Sequence, residues 1–188
     1  MRGSFSAAML LSALACGCGG STATSSVTGT IGGKTFSAVD VASGNVSLAT
    51  VGSNVGAIIE MSSVAGVCSD ITQRVSPKNV TLLSIILANA SATSATPPTE
   101  PGTFTVTNAP GPAAKVLYEE RDANCQIISA ASTHAISGSV IVTNVDGKGG
   151  YAGTGDVIMY PSDHITFQFS ASNCPAIEMM LSSAETCM

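Results

Sequence analysis

Side chains able to do chemistry are sparse in this chain of 188 residues, which has two histidines, six cysteines and twelve acids against seven lysines and arginines. His164 follows Asp163 directly, but neighbours on a strand point to opposite faces, so the two are not placed as the base and orienting acid of a hydrolase. The Gly-x-Ser-x-Gly elbow of the common serine hydrolases is absent. His134 opens a candidate strand and reads as a surface or edge residue. Glu119 and Glu120 are adjacent and followed by Arg121 and Asp122. A glycosidase needs two carboxylates facing each other across a sugar, so this run reads instead as a solvated strand end and turn. The glycine-rich run from Asp146 to Asp156 has a superficial likeness to calcium-binding Gly/Asp turns, but it is a single copy and lacks a phosphate or dinucleotide fingerprint. It reads as a flexible hairpin. With no tryptophan, and with Tyr118, Tyr151 and Tyr160 at hairpin positions, no aromatic platform for a sugar stands out. A pI near 4.7 removes the basic footprint that nucleic-acid binding requires. The expectation is no catalytic residue, no metal ligand set and no cofactor.

The cysteines divide into two groups. Residues 1–20 read MRGSFSAAMLLSALACGCGG, with Arg2 ahead of an apolar stretch from Phe5 to Ala15 and no acid before Asp40. This is the layout of a secretory leader. Ala13-Leu14-Ala15-Cys16 resembles the lipobox of bacterial lipoproteins, in which the cysteine is acylated and becomes the first residue after cleavage; Ala15-Cys16-Gly17-Cys18 is a second possible frame. The resemblance implies a signal peptide over 1–15 and lipid attachment at Cys16, with Cys18 as the alternative. The segment 16–26, rich in Gly, Ser and Thr, reads as a flexible tether. In such lipoproteins an Asp after the cysteine commonly retains the chain at the inner membrane. Gly17 or Gly19 stands there instead, which implies the outer membrane. Cys68, Cys125, Cys174 and Cys187 are left for the exported domain, 27–188. An oxidising compartment favours disulfides among them, in one of three connectivities. A metal site does not fit, because no Cys-x-x-Cys pair lies beyond the leader and neither histidine has a partner at ligand spacing.

Period-two alternation governs the rest of the chain. Thr103 to Thr107 alternates with Phe104 and Val106 on one face, and Ile165 to Ser170 with Ile165, Phe167 and Phe169. In Ile136 to Val142 the inner set is Ile136, Val140 and Val142, with Gly138 at a bulge or close approach. Turn chemistry at Val145-Asp146-Gly147 and Tyr160-Pro161-Ser162-Asp163 joins these into an antiparallel meander over 135–170. Further strands are expected over 27–31, 34–41, 46–51, 55–61 and 114–121. Segment 80–88, apolar on both faces, reads as a central strand, although a buried helix fits the same run. Met61, Val64, Cys68, Ile71 and Val75 recur at three- and four-residue steps, which predicts a short helix over about 64–75. Segments 91–101 and 108–112 are Pro-rich loops. The length suits one domain, and no run of about 18–20 apolar residues spans a bilayer. The fold class is therefore mainly β, an antiparallel sandwich or barrel with one short helix.

Several blocks are similar to a group of uncharacterised bacterial lipoproteins. They are Val27-Thr28-Gly29-Thr30-Ile31-Gly32-Gly33-Lys34-Thr35-Phe36, Ala65-Gly66-Val67-Cys68, Pro101-Gly102-Thr103-Phe104-Thr105-Val106 and Asp122-Ala123-Asn124-Cys125. The last is Tyr151-Ala152-Gly153-Thr154-Gly155 with Asp163-His164-Ile165-Thr166 and Cys174; here Gly155 stands where an aromatic residue is common. The resemblance implies location and a β-rich domain only. The expected function is a non-enzymatic envelope domain, held to a membrane by its N-terminal lipid and used for structure or for contact with a protein or surface. A barrel binding a small apolar ligand and a hydrolase of unfamiliar type are the alternatives. An empty apolar cavity would favour the first, and converging acids or a Ser-His pair the second.

Overall fold

The computed structural model describes residues 23–47, 55–91, 94–182 and 186–187. Its strands in chain order are β1 (Thr24–Gly29), β2 (Asp40–Ser47), β3 (Val55–Ser62), β4 (Val75–Ser76), β5 (Thr81–Ala90), β6 (Ala95–Thr96), β7 (Gly102–Val106), β8 (Gly111–Glu120), β9 (Thr133–Val145), β10 (Tyr151–Met159), β11 (Asp163–Asn173) and β12 (Thr186–Cys187). One α-helix, α1 (Val67–Gln73), and a 3-10 helix (Pro175–Ser182) accompany them. Strand makes up 60% and helix 7%, and eight strands close into a barrel. Antiparallel pairs run β2 to β3, β3 to β5, β5 to β8, β9 to β10 and β10 to β11. The ring closes where Ser172 and Asn173 of β11 meet Ala42 and Ser43 of β2 in parallel. β7 is wedged between β8, to which it is parallel, and β9, to which it is antiparallel. The Pro-rich turn after β7 carries the chain back so that β8 starts beside it in the same direction. β1 lies antiparallel along β11.

The expected meander is β9, β10 and β11, and its alternation fills the barrel. Tyr151, Val157 and Met159 of β10 and Ile165, Phe167 and Phe169 of β11 are all core residues. Two of the inward positions on β10 are glycines. Gly155 faces Phe167 and Gly153 faces Phe169 across the ladder. A Cβ at Gly155 would run into the Phe167 ring, and one at Gly153 would stand 2.9 Å from Phe169 Cζ. The glycines give up side-chain volume so that two phenyl rings fit across a narrow barrel.

One strand departs from the expected parity. On β9, Ala135 faces Met159 and Ser137 faces Ile158, which leaves Ile136 as an extra residue in the ladder. A bulge of this kind switches every side chain beyond it to the other face. Ala135 is therefore buried with Val140 and Val142, while Ile136, expected inside, is 48% exposed. Gly138, with φ of 113°, lies where a Cβ would overlap the Asp156 carbonyl, as expected for a close approach.

Other boundaries shift for local reasons. β1 begins at Thr24, inside the segment read as tether, and β2 begins at Asp40, so 34–39 is not strand. Of the expected strand 46–51, residues 48–51 lie outside the described residues. α1 is shorter than 64–75: Gly66 (φ 98°) precedes it and Arg74 (φ 57°) ends it, both left-handed. The three- and four-residue period spans three elements, because Met61 belongs to β3 and points into the barrel while Val75 belongs to β4. The 3-10 helix was not foreseen; Pro175 at its first position is compatible with a helical start.

β5 carries apolar residues on both faces, and β3 buries both of its faces, Glu60 and Ser62 among the outer residues, because each face has a core. Inside lie Ile59, Met61, Leu83, Ile85 and Leu87. Outside, Ile58 packs with Ala42, Val46, Val67, Cys174 and Ile177 under α1 and the 3-10 helix.

Candidate functional site

Cys68 and Cys174 form a disulfide with S–S 2.04 Å, and Cys125 and Cys187 another with S–S 2.02 Å. The first ties α1 to the end of β11. The second ties the loop after β8 to β12, which pairs in parallel with β4. Carboxylates position two of the four cysteines. Asp40 Oδ2 accepts from the backbone N–H of Gly66 (2.8 Å) and Val67 (3.0 Å), capping α1 from another strand and so fixing Cys68. Asp122 Oδ1 accepts from the N–H of Asn124 (2.8 Å) and Gln126 (2.9 Å), folding the turn that presents Cys125 at φ 58°. The backbone bonds from Gln126 and Asn124 hold the Asp122 carboxyl below its ordinary value. Asp70 is shifted upward, first by burial and then by the Asp40 charge. Cys16 and Cys18 lie outside the described residues.

The residues considered for catalysis are dispersed. His164 Nε2 lies 2.8 Å from Asp156 Oδ1 on the exposed face of the β10–β11 hairpin. Asp163 instead accepts from the Gly32 N–H at 2.6 Å, so the two neighbours diverge as strand alternation requires. His134 is stacked on Tyr160, with ring centroids 6.0 Å apart and an interplanar angle of 2°. Glu120 is not the solvated strand end expected. Its side chain is 14% exposed, accepting from Tyr118 Oη at 2.9 Å and from Lys34 Nζ at 2.8 Å. Asp146 Oδ1 accepts from the N–H of Lys148 (2.7 Å) and Gly150 (2.8 Å), so the glycine-rich run is an ordered turn. Burial raises the Asp146 carboxyl, but these backbone bonds outweigh it and leave it below the ordinary value. Among the described residues, no group of three or more His, Cys, Asp or Glu is arranged to hold a metal.

Both ends of the barrel are covered. At one, the β1–β2 connection turns at Ile31 to Lys34 and tucks Ile31 and Phe36 into the core. Phe36 meets Tyr118 edge-on at 6.1 Å, and the Lys34–Glu120 ion pair fastens the turn. At the other, the Tyr151 hydroxyl is 2.6 Å from Asn45 Oδ1 and 3.2 Å from the carbonyl of Pro98, itself buried. Tyr118 and Tyr151 are thus core residues rather than hairpin positions; of the three tyrosines only Tyr160 is exposed. Burial, then the charge of Asp146, pushes the Tyr151 hydroxyl up to about 12. Nothing in the strand pattern distinguished these tyrosines, because a buried phenol is recognised by its partner across the barrel.

One surface cleft lies beside the bulge. β7 ends at Val106, opposite Ala114 of β8. β8 and β9 pair directly only further on, at Leu117 with His134 and Tyr118 with Thr133. Between these points the wall opens into a cleft of about 460 Å³, floored by Ala114, Val116 and Ala135 and flanked by Lys115, His134 and Ile136. A second cleft of about 320 Å³, reaching Ile86 on β5, shares Thr107, Asn108, Ala114 and Lys115 with it. Of the two prolines in the expected 108–112 loop, Pro110 lies in the short turn after β7, while Pro112 lies within β8 opposite Asn89. No family model, curated protein or solved structure matches this chain.

Proposed function

We propose that this chain is a bacterial lipoprotein, fixed to the outer membrane by acyl chains on Cys16 (or Cys18), whose barrel acts by surface contact rather than by catalysis or by carrying a ligand inside. The reading is supported above all by the barrel's interior. A single cluster that includes Phe104, Tyr118, Tyr151, Phe167 and Phe169 fills it, and both ends are covered. Small-molecule sites need about 300–1,000 Å³ of concave volume, and the clefts of that size described above lie on the outer wall. Two disulfides suit an exported, oxidising setting. Each acyl methylene contributes about 0.8 kcal/mol and one chain alone anchors only marginally, so several chains together give a lasting anchor. Among the described residues no helix is long and apolar enough to cross a membrane.

The test is metabolic labelling of cells producing the full chain with an alkynyl fatty acid. Label is expected on the wild type, kept by one of Cys16→Ala and Cys18→Ala, and lost from the other and from the double variant. Label on the double variant, or a chain found in the cytosol with its leader uncut and its thiols reduced, would overturn the proposal.

A further inference from the structure

We infer that the opening between β8 and β9 is a docking site for an extended, acidic peptide segment of a partner, added as a short strand beyond the end of β7; this rests on the surface-contact reading above. Three independent features converge there. The first is main-chain geometry. On the β8 side, residues 115–116 lie between the last pair with β7 and the first pair with β9. On the β9 side, Ala135, Ser137 and Gly138 pair only with β10 among the described residues, and Ile136 is the bulged residue between them. At about 3.3 Å per residue, the β9 edge offers roughly 13 Å of strand. Such an edge recognises a polypeptide by main-chain hydrogen bonds, as in strand addition to PDZ and PTB domains.

The second feature is charge. The protein carries a net −5 with only seven lysines and arginines, yet Lys115 and His134 are the only ionisable groups lining this cleft. A carboxylate on the incoming strand meets no acid on the cleft wall and the Lys115 ammonium on the β8 side. The third is apolar contact. Ile136, turned outward by the bulge, is 48% exposed, and Leu117 lies on the opposite wall. The wall is preformed, because His134 stacks on Tyr160 and its carbonyl accepts from the Tyr160 N–H at 2.8 Å. The adjoining cleft continues the path over β8 toward β5, with Lys115 at the junction. Together these features specify alternating apolar and acidic side chains on an extended backbone.

The experiment uses the purified full chain in detergent and a fluorescent octapeptide of alternating valine and threonine with two central glutamates. Controls are its glutamine counterpart and a version N-methylated at alternate amides. Fluorescence anisotropy should show saturable binding of the acidic peptide, about tenfold weaker binding of the glutamine form and none of the N-methylated form. Lys115→Glu should remove or reverse the preference for glutamate. Ile136→Ser should weaken binding severalfold, with the melting temperature unchanged as a check that the fold persists. Absence of binding, indifference to Lys115→Glu, or equal binding of the N-methylated peptide would each overturn the site; the last would point to an anionic polymer held by charge alone. Acylation is read separately by the labelling experiment, so the docking site and the anchor fail independently.

Discussion

Two cores lie back to back across β2 and β3. Inside the ring, Val41, Ala57, Ile59 and Met61 face a cluster drawn from strands all around the barrel. Outside it, Ala42, Val46 and Ile58 face α1 and the 3-10 helix. The inner core is held by many large side chains in period-two register. The outer core is small, and its cover is a seven-residue helix and a 3-10 segment, neither of which holds its shape alone in water. What fixes it is the Cys68–Cys174 bond and the carboxylate of Asp40 at the start of α1. Burial secures one region and covalent and polar fastenings secure the other.

The sharpest way to break this contrast is to weaken the inner core. Phe169→Ala should lower stability by about 3–5 kcal/mol, read as a shift of a single urea transition by circular dichroism. A small change would mean that the interior is less tightly filled than the Phe169–Gly153 fit implies. Replacing both Cys68 and Cys174 by serine should cost about 2–4 kcal/mol. Hydrogen exchange should show the loss concentrated in α1 and the 3-10 helix, with β9 to β11 still protected. Equal loosening everywhere would show that the outer core supports the ring as well. The gentlest probe is alkaline pH. Tyr151 stays protonated in the fold up to about 12 against an ordinary value of 10.0, so the unfolded chain gives up its proton first. Stability is level below pH 10 and falls between 10 and 12, by about 2 kcal/mol for this group. Tyr151→Phe should remove that part of the slope. Tyr118, also raised by burial and by Glu120, should keep its own part.

The same contrast explains what the amino-acid order revealed. Alternation exposed the meander and the two-faced central strand, because burial on a pleated sheet writes a period of two directly into the residues. It misassigned Ile136, since a bulge reverses parity without changing composition, and the glycine that accommodates it sits two residues away. The helix was located but overextended, because Met61 matched its period while serving β3. The disulfides were expected as a set, but their partners depend on how the chain returns past α1 and β4. Lys34 with Glu120, and Tyr151 with Asn45, join positions far apart in sequence, so neither pair leaves a local trace. The cleft between β8 and β9 arises where a proline turn and a bulge meet, and each alone reads as an ordinary loop or irregularity.

The ring-for-hydrogen exchange between Gly155 and Phe167 has an evolutionary corollary. Volume on that rung is a conserved sum, so a descendant placing a bulky residue at 155 keeps this architecture only by shrinking 167 in step. Substitutions at the two sites are therefore expected to come as a couple.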